Sequence, residues 1–204
     1  MENKAKIDGM EVDGNKIFVT SDSHFGHTNI IKFNNRPYKN ADQMNEDMIR
    51  LWNEIVPEDG HVFHLGDVSL MSPTKTENLL YRLNGKIYLL KGNHEKSVLR
   101  KESTRNRFEW IKERYEFYVP HNGKKHFVVM SHYAHRVWNK SHHGSIHLYG
   151  HSHAGLEDQP WGKSMDVGVD NALRLFGQCR PFKLDEVMSI MEKREIKNAG
   201  DHHK

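Results

Sequence analysis

The chain has 204 residues, 36% of them hydrophobic and 28% charged, which is a globular composition and excludes a disordered or fibrous chain. A formal net charge of +3 gives a large polyanionic partner little to grip, and the single cysteine, Cys179, excludes an intramolecular disulfide framework and a thiolate metal cluster. Met1-Glu2-Asn3-Lys4 runs into mixed polar residues and no apolar run could span a bilayer, so the expectation is a soluble cytoplasmic protein with no membrane partner.

Lys16 to Ser21 reads as a short buried strand, with Ile17, Phe18 and Val19 adjacent. Asp22 and His24 follow it, and two apart in extended backbone they would point the same way and could grip one ion. An Asx turn beside an imidazole explains the pair equally well. Thr28 to Asn40 is polar and reads as a loop. Asn40 and Gln43 then have capping-box spacing, and Met44, Met48, Leu51, Trp52, Ile55 and Val56 form one helical stripe until Pro57. His61 to Leu65 is the next strand and delivers Gly66-Asp67. Ser72-Pro73 opens a second helix with Leu79, Leu80 and Leu83 facing in, and Lys86 to Leu90 is a third strand leading into Lys91-Gly92-Asn93-His94-Glu95.

The second half changes character. Phe108, Ile111 and Tyr115 suggest a short helix, and Asn122-Gly123 between two apolar runs, Phe117 to Pro120 and Lys125 to Ser131, signals a hairpin. Short strands follow at Ser145 to Tyr149 and Ser164 to Val169. Lacking intervening helices, they point to antiparallel pairing in a second sheet. Leu184 to Glu195 closes as a helix, and a flexible polar tail from about Lys193 to Lys204 carries exposed, idle His202 and His203. No repeat or linker divides the chain, so residues 1–204 are expected to form one α/β domain, two packed sheets with helices outside.

Sixteen histidines are the unusual count, and most cluster where predicted strands end. Asp22, His24, Asp67, Asn93, His132, His151 and His153 offer carboxylate, amide oxygen and imidazole, too many donors for one tetrahedral zinc site. They suit two ions sharing a carboxylate, roughly 3.5–4 Å apart, with Asp67 as the natural bridge.

Asp22-x-His24, Gly66-Asp67, Gly92-Asn93-His94-Glu95, His132 and Gly150-His151-x-His153 resemble, in order, the motifs of the calcineurin-like metallophosphoesterases. The resemblance implies an αββα sandwich of two mixed sheets flanked by helices, and a dinuclear centre that hydrolyses phosphate esters through a metal-bridging hydroxide. It further implies one ion held by Asp22, His24, Asp67 and His153 and another by Asp67, Asn93, His132 and His151. His94 falls outside both sets, where its imidazolium would stabilise phosphoryl oxygens or protonate the leaving alkoxide. Imidazole and carboxylate admit Mn, Fe, Ni or Zn as the two divalent ions, with Mn favoured.

The sequence departs from the family where protein phosphatases continue the second motif as Gly-Asp-x-x-Asp-Arg-Gly. Leu70 and Met71 stand there instead, so neither an orienting carboxylate nor a phosphate-binding guanidinium is supplied. That loss weakens recognition of a monoester dianion more than of a singly charged diester. The expected substrate is a phosphodiester, a nucleotide or nucleic-acid end, with a small-molecule phosphomonoesterase as the alternative. A non-catalytic interaction scaffold of the same fold is the reading from another class. Arg36, in the loop after Asp22, and Arg136, in the loop between His132 and His151, are the expected substrate contacts. No protein partner is identifiable.

Overall fold

The computed structural model describes residues 3–197. A hairpin of β1 (Lys4–Ile7) and β2 (Met10–Asp13) opens the chain. β3 (Ile17–Thr20), α1 (Thr28–Phe33), α2 (Ala41–Ile55), β4 (His61–His64), α3 (Pro73–Leu80) and β5 (Lys86–Leu90) follow. Two single-turn helices, α4 (Lys96–Leu99) and α5 (Glu102–Arg105), lead to β6 (Phe108–Lys112). Then come β7 (Arg114–His121), β8 (Lys124–Ser131), β9 (Ile146–Tyr149), β10 (Ser164–Asp166), α6 (Val169–Phe176), β11 (Phe182–Lys183) and α7 (Leu184–Glu192).

The larger sheet runs in the order β11-β3-β4-β5-β6, with β3 to β6 parallel and β11 antiparallel to β3. Its inner strands read as continuous apolar runs because both faces are covered, and β3 and β4 are buried at every position. On one face Phe18, Val62, Ile87 and Leu89 share a core with Met44, Met48 and Trp52 of α2 and Leu79 and Leu80 of α3. Asn40 caps α2 by accepting from the Gln43 backbone N–H at 2.8 Å, as the spacing predicts, while the Gln43 side chain accepts from the Lys39 N–H. On the other face Val19, Phe63, Tyr88 and Leu90 meet Phe117, Val128, Leu148 and Met165 of the smaller sheet. Phe63 sits within 5.0–5.6 Å of the rings of Tyr88, Phe117 and Tyr115, and truncating so enclosed a ring costs about 3–5 kcal/mol.

The smaller sheet has the order β10-β9-β8-β7. Its hairpin is closed by Asn122 and Gly123, both at positive φ, as a two-residue primed turn requires. The fold is thus an α/β sandwich of two mixed sheets flanked by helices, as the sequence leads one to expect.

Several expectations are corrected. Phe108 to Lys112 is a strand: pairing Tyr88 with Trp110 along the open edge of β5 outweighs a weak helical spacing. β9 lies parallel to β8, and β10 parallel to β9, because the connections 132–145 and 150–163 are long enough to cross over without helices. Thr28 to Phe33 is helical. The final helix ends at Glu192, and Arg194 beyond it pairs with buried Glu157 at 2.6 Å, so the tail is tethered at its start. His202 and His203 lie outside the described residues.

Candidate functional site

The C-terminal ends of β3, β4, β5, β8 and β9 converge, and the turns after them carry all seven expected ligands. These turns are cross-tied by backbone: the Asp22 N–H donates to the Gly66 carbonyl at 2.9 Å, His24 to Asp67 at 3.0 Å, and Gly150 to His132 at 2.9 Å. Asp22 and His24 do not lie in extended backbone, contrary to the sequence reading. They stand at φ 54° and 48°, and Asp67, His151 and His153 are also left-handed, at 58°, 63° and 48°. Each such non-glycine residue costs on the order of 1 kcal/mol, and strain concentrated in five of seven candidate ligands marks a functional site. Glycine is demanded beside them. A Cβ on Gly66, itself at φ 100°, would lie 2.7 Å from His132 Nδ1, and one on Gly150 would overlap Ser21 and Asp22.

Two donor groups result. Asp22, His24 and His153 bring ligand atoms within 4.8 Å of one another, as do Asp67, His132 and His151. Asp67 faces both: its Oδ2 lies 3.6 Å from His24 Nε2 and 3.7 Å from His132 Nε2, while its Oδ1 accepts from the His94 N–H at 2.8 Å. Asn93 Oδ1 joins the second group, 3.1 Å from His132 Nε2.

Tautomers are fixed from behind. His132 Nδ1–H donates to the Leu65 carbonyl at 2.7 Å and His153 Nδ1–H to Asp170 at 2.6 Å, which leaves each Nε2 lone pair facing the centre. Asp22 Oδ2 accepts from the His151 N–H at 2.8 Å. Among the described residues, its Oδ1 and both ring nitrogens of His24 are buried without hydrogen-bond partners. Orphaned groups of this kind cost about 1–3 kcal/mol each, a cost that a cation among them removes. Burial, then the neighbouring His153, pushes the His24 pKa down to about 2, so the ring is a neutral ligand. Burial and Asp166 raise that of Asp22 well above the usual carboxylate range, so ionising it calls for a nearby cation. The residues therefore fit two divalent ions.

Several supports were not legible in the sequence. Asp170, on the unexpected helix α6, accepts from Asn34, Arg36 and His153. Asp166 holds the turn of His151 and His153 by accepting from the Ser152 hydroxyl and the Ala154 N–H. Glu95 lies buried under Asp67 and accepts its N–H, and burial with the Asp67 charge raises its pKa to about 7. The sequence shows Glu95 in the Gly92-Asn93-His94-Glu95 motif but assigns it no role.

His94 is exposed, its ring 5.6 Å from that of His24, and it lines a cavity of about 540 Å³. Arg36 is not a substrate contact. It is 3% exposed, and its guanidinium is spent on Asp170 and on the carbonyls of Asp22 and Ser23, so it braces the first turn from beneath. Arg136 is exposed with its guanidinium 5.0 Å from the Trp161 ring centre, and among the described residues its contacts are with Trp161 and with no candidate ligand.

Among known proteins, the calcineurin-like phosphoesterase family matches residues 15–163. An uncharacterised protein of Methanocaldococcus jannaschii, MJ1445, is 31% identical over 188 residues, 89% of this chain and 94% of that one. A protein of unknown function from Aquifex aeolicus, AQ665, shares the fold with a TM-score of 0.62 at 21% identity, over 85% of this chain and 98% of that one. An archaeal phosphodiesterase is similar at a TM-score of 0.39 and 20% identity over 79% of this chain and 87% of that one, too slight a likeness to bear on chemistry. The family match spans every candidate ligand from Asp22 to His153, and the chain belongs to the calcineurin-like phosphoesterases, hydrolases of phosphate esters.

Proposed function

We propose that the protein is a phosphodiesterase with a dinuclear, preferably manganese, centre that acts on nucleotides or nucleic-acid ends in the cytoplasm. The observation that carries the dinuclear reading is the position of Asp67 Oδ2, equidistant within 0.1 Å from His24 Nε2 at 3.6 Å and His132 Nε2 at 3.7 Å. In this reading Asp22, His24, Asp67 and His153 hold one ion and Asp67, Asn93, His132 and His151 the other. When bound, such ions supply an activated water and neutralise charge on the nonbridging phosphate oxygens. In this reading His94, outside both sets and open to solvent, donates a proton to the leaving oxygen.

The diester preference rests on Leu70 and Met71. They line the cavity beside His94, and Arg36, among the described residues the one guanidinium tied to the Asp22 turn, is buried in a pair with Asp170. Neither Leu70 nor Met71 can give a monoester dianion the bidentate cation that a guanidinium at that position would, whereas a diester monoanion needs less compensation. A single buried thiol, Cys179, suits a reducing compartment.

The decisive assay compares bis(p-nitrophenyl) phosphate, p-nitrophenyl phosphate and 2′,3′-cyclic nucleotides across Mn²⁺, Fe²⁺, Ni²⁺ and Zn²⁺. The diesters should turn over faster than the monoester, and His94→Ala should lower kcat about 10²- to 10⁴-fold with metal content unchanged. Faster monoester turnover would replace the diesterase with a phosphomonoesterase. No turnover with any metal would leave a scaffold.

A further inference from the structure

The cavity of about 540 Å³ beside the candidate centre has two chemically distinct sides. Leu70, Met71 and Pro73 form an apolar side, with Leu70 41% exposed. Lys96 and Arg100 form the other. They stand four residues apart where α4 begins and ends, and so project from one helical face. Both are exposed, and among the described residues neither pairs with a carboxylate, unlike Arg50, Arg82 and Lys91 elsewhere on the surface. Two like charges at this spacing repel, so the arrangement costs free energy until an anion lies between them. Asn93 and His94 form the wall shared with the centre, and that wall is the side on which His94 would meet a leaving group.

The cavity is preformed. Ser97 Oγ donates to the Ser69 carbonyl at 2.6 Å, and the Ser69 hydroxyl lies 2.9 Å from that of Thr76, which locks α4, the 69–72 segment and α3 together. Its volume falls within the roughly 300–1,000 Å³ of small-molecule sites.

We propose that this cavity seats the leaving group of the substrate and selects a nucleotide carrying a further phosphate, its nucleoside against Leu70 and Met71 and that phosphate between Lys96 and Arg100. The proposal rests on the diesterase reading above and adds to it which diesters are preferred. A phosphate held by two cations through charge-assisted hydrogen bonds strengthens binding about tenfold or more.

The test measures kcat/KM with Mn²⁺ on the thymidine dinucleotide, on its 5′-phosphorylated form and on its 3′-phosphorylated form. The protein should prefer one of the phosphorylated forms about tenfold or more, mostly through KM. Lys96→Ala/Arg100→Ala should bring that preference down to about one. Leu70→Glu, which sets a negative charge on the apolar side, should reduce it as well and checks the result should the double variant be unstable. A wild-type protein indifferent to both terminal phosphates, or variants that keep the preference, would overturn the assignment of the cavity. Turnover of bis(p-nitrophenyl) phosphate separates the two failures: with it intact only the cavity assignment falls, and without any diester turnover the diesterase reading falls and takes this one with it.

Discussion

Asp22, His24 and His153 are braced by charge, whereas Asp67, His132 and His151 are braced mainly by backbone, with one buried carboxylate, Glu95, beneath Asp67. Behind the first group Asp170 takes hydrogen bonds from Asn34, His153 and the buried guanidinium of Arg36, which also reaches the carbonyls of Asp22 and Ser23. Behind the second, His132 leans on the Leu65 carbonyl and Asp67 on the N–H of His94, and His151 stands exposed beside the ring of Tyr133 at 4.7 Å. A buried ion pair is intolerant of losing one partner, because the survivor is left charged in a poor solvent. Backbone bonds cannot be removed by side-chain substitution. The first group is therefore the more tunable by mutation of its surroundings, and the second is tunable chiefly through Glu95 beneath Asp67.

The largest effect should come where the two groups meet. Asp67→Asn removes the carboxylate that faces both His24 and His132, so turnover should fall roughly 10³-fold and metal content measured after dialysis should drop for both ions. Retention of two ions with near-normal turnover would show that Asp67 joins nothing. Next comes Asp170→Asn, which should weaken one of two Mn²⁺ binding steps in a calorimetric titration by about 10- to 100-fold and leave the other in place. It strands Arg36, 3% exposed, as an unpaired charge, so a loss of about 3–5 kcal/mol in unfolding free energy should accompany it. Equal weakening of both steps would erase the distinction between the groups.

The ligands were legible and their supports were not, for a physical reason. Asp22, Asp67, Asn93, His132 and His151 each follow an apolar run, and hydrophobic periodicity locates strand ends well. Asp170 and Arg36 are 134 positions apart, and their pairing exists only because α6 docks beside the turn after β3. Nothing local marks either residue, so Arg36 reads as a solvent-facing substrate contact. Pairing direction was hidden likewise: β8, β9 and β10 lack helical crossovers, yet loops of sufficient length run them parallel. The left-handed turns that bring His24 back toward Asp22 are also a tertiary property, since Asp and His tolerate positive φ without requiring it.

Acid should act on the whole fold more gently. His147 on β9 bonds to the Val129 carbonyl of β8 and accepts from the His135 N–H at 3.0 Å, so it ties together the strands that deliver His132 and His151. Burial pushes its pKa down to about 3, with His135 adding to the effect. Above the unfolded value of about 6.5 neither state is protonated. Below it the unfolded chain binds a proton that the fold refuses, so stability is lost progressively until about pH 3, by about 2 kcal/mol between pH 7 and pH 5. His64, pushed down to about 3 by burial and then by His132, adds to the same slope. Burial works against the Asp170 carboxylate, but its bonds from His153 and Arg36 win and hold it below the usual range, so its contribution is complete above the unfolded carboxylate value and lost only in stronger acid. Denaturant unfolding followed at each pH should therefore show stability falling between pH 7 and pH 5, with His24, also pushed down by burial, adding to the loss. His147→Gln should flatten the acid slope.

The smallest effect belongs to Tyr133, whose hydroxyl lies 3.5 Å from Asn93 Oδ1 and which is 49% exposed. A bond that long at a wet surface is worth under about 1 kcal/mol, so Tyr133→Phe should change Mn²⁺ affinity and turnover by less than about fivefold. A loss comparable to that of Asp170→Asn would mean that the second group is held by its exposed rim rather than by the backbone behind it. The contrast between the groups would then be one of depth alone, because both would depend on a side chain that a single substitution can remove.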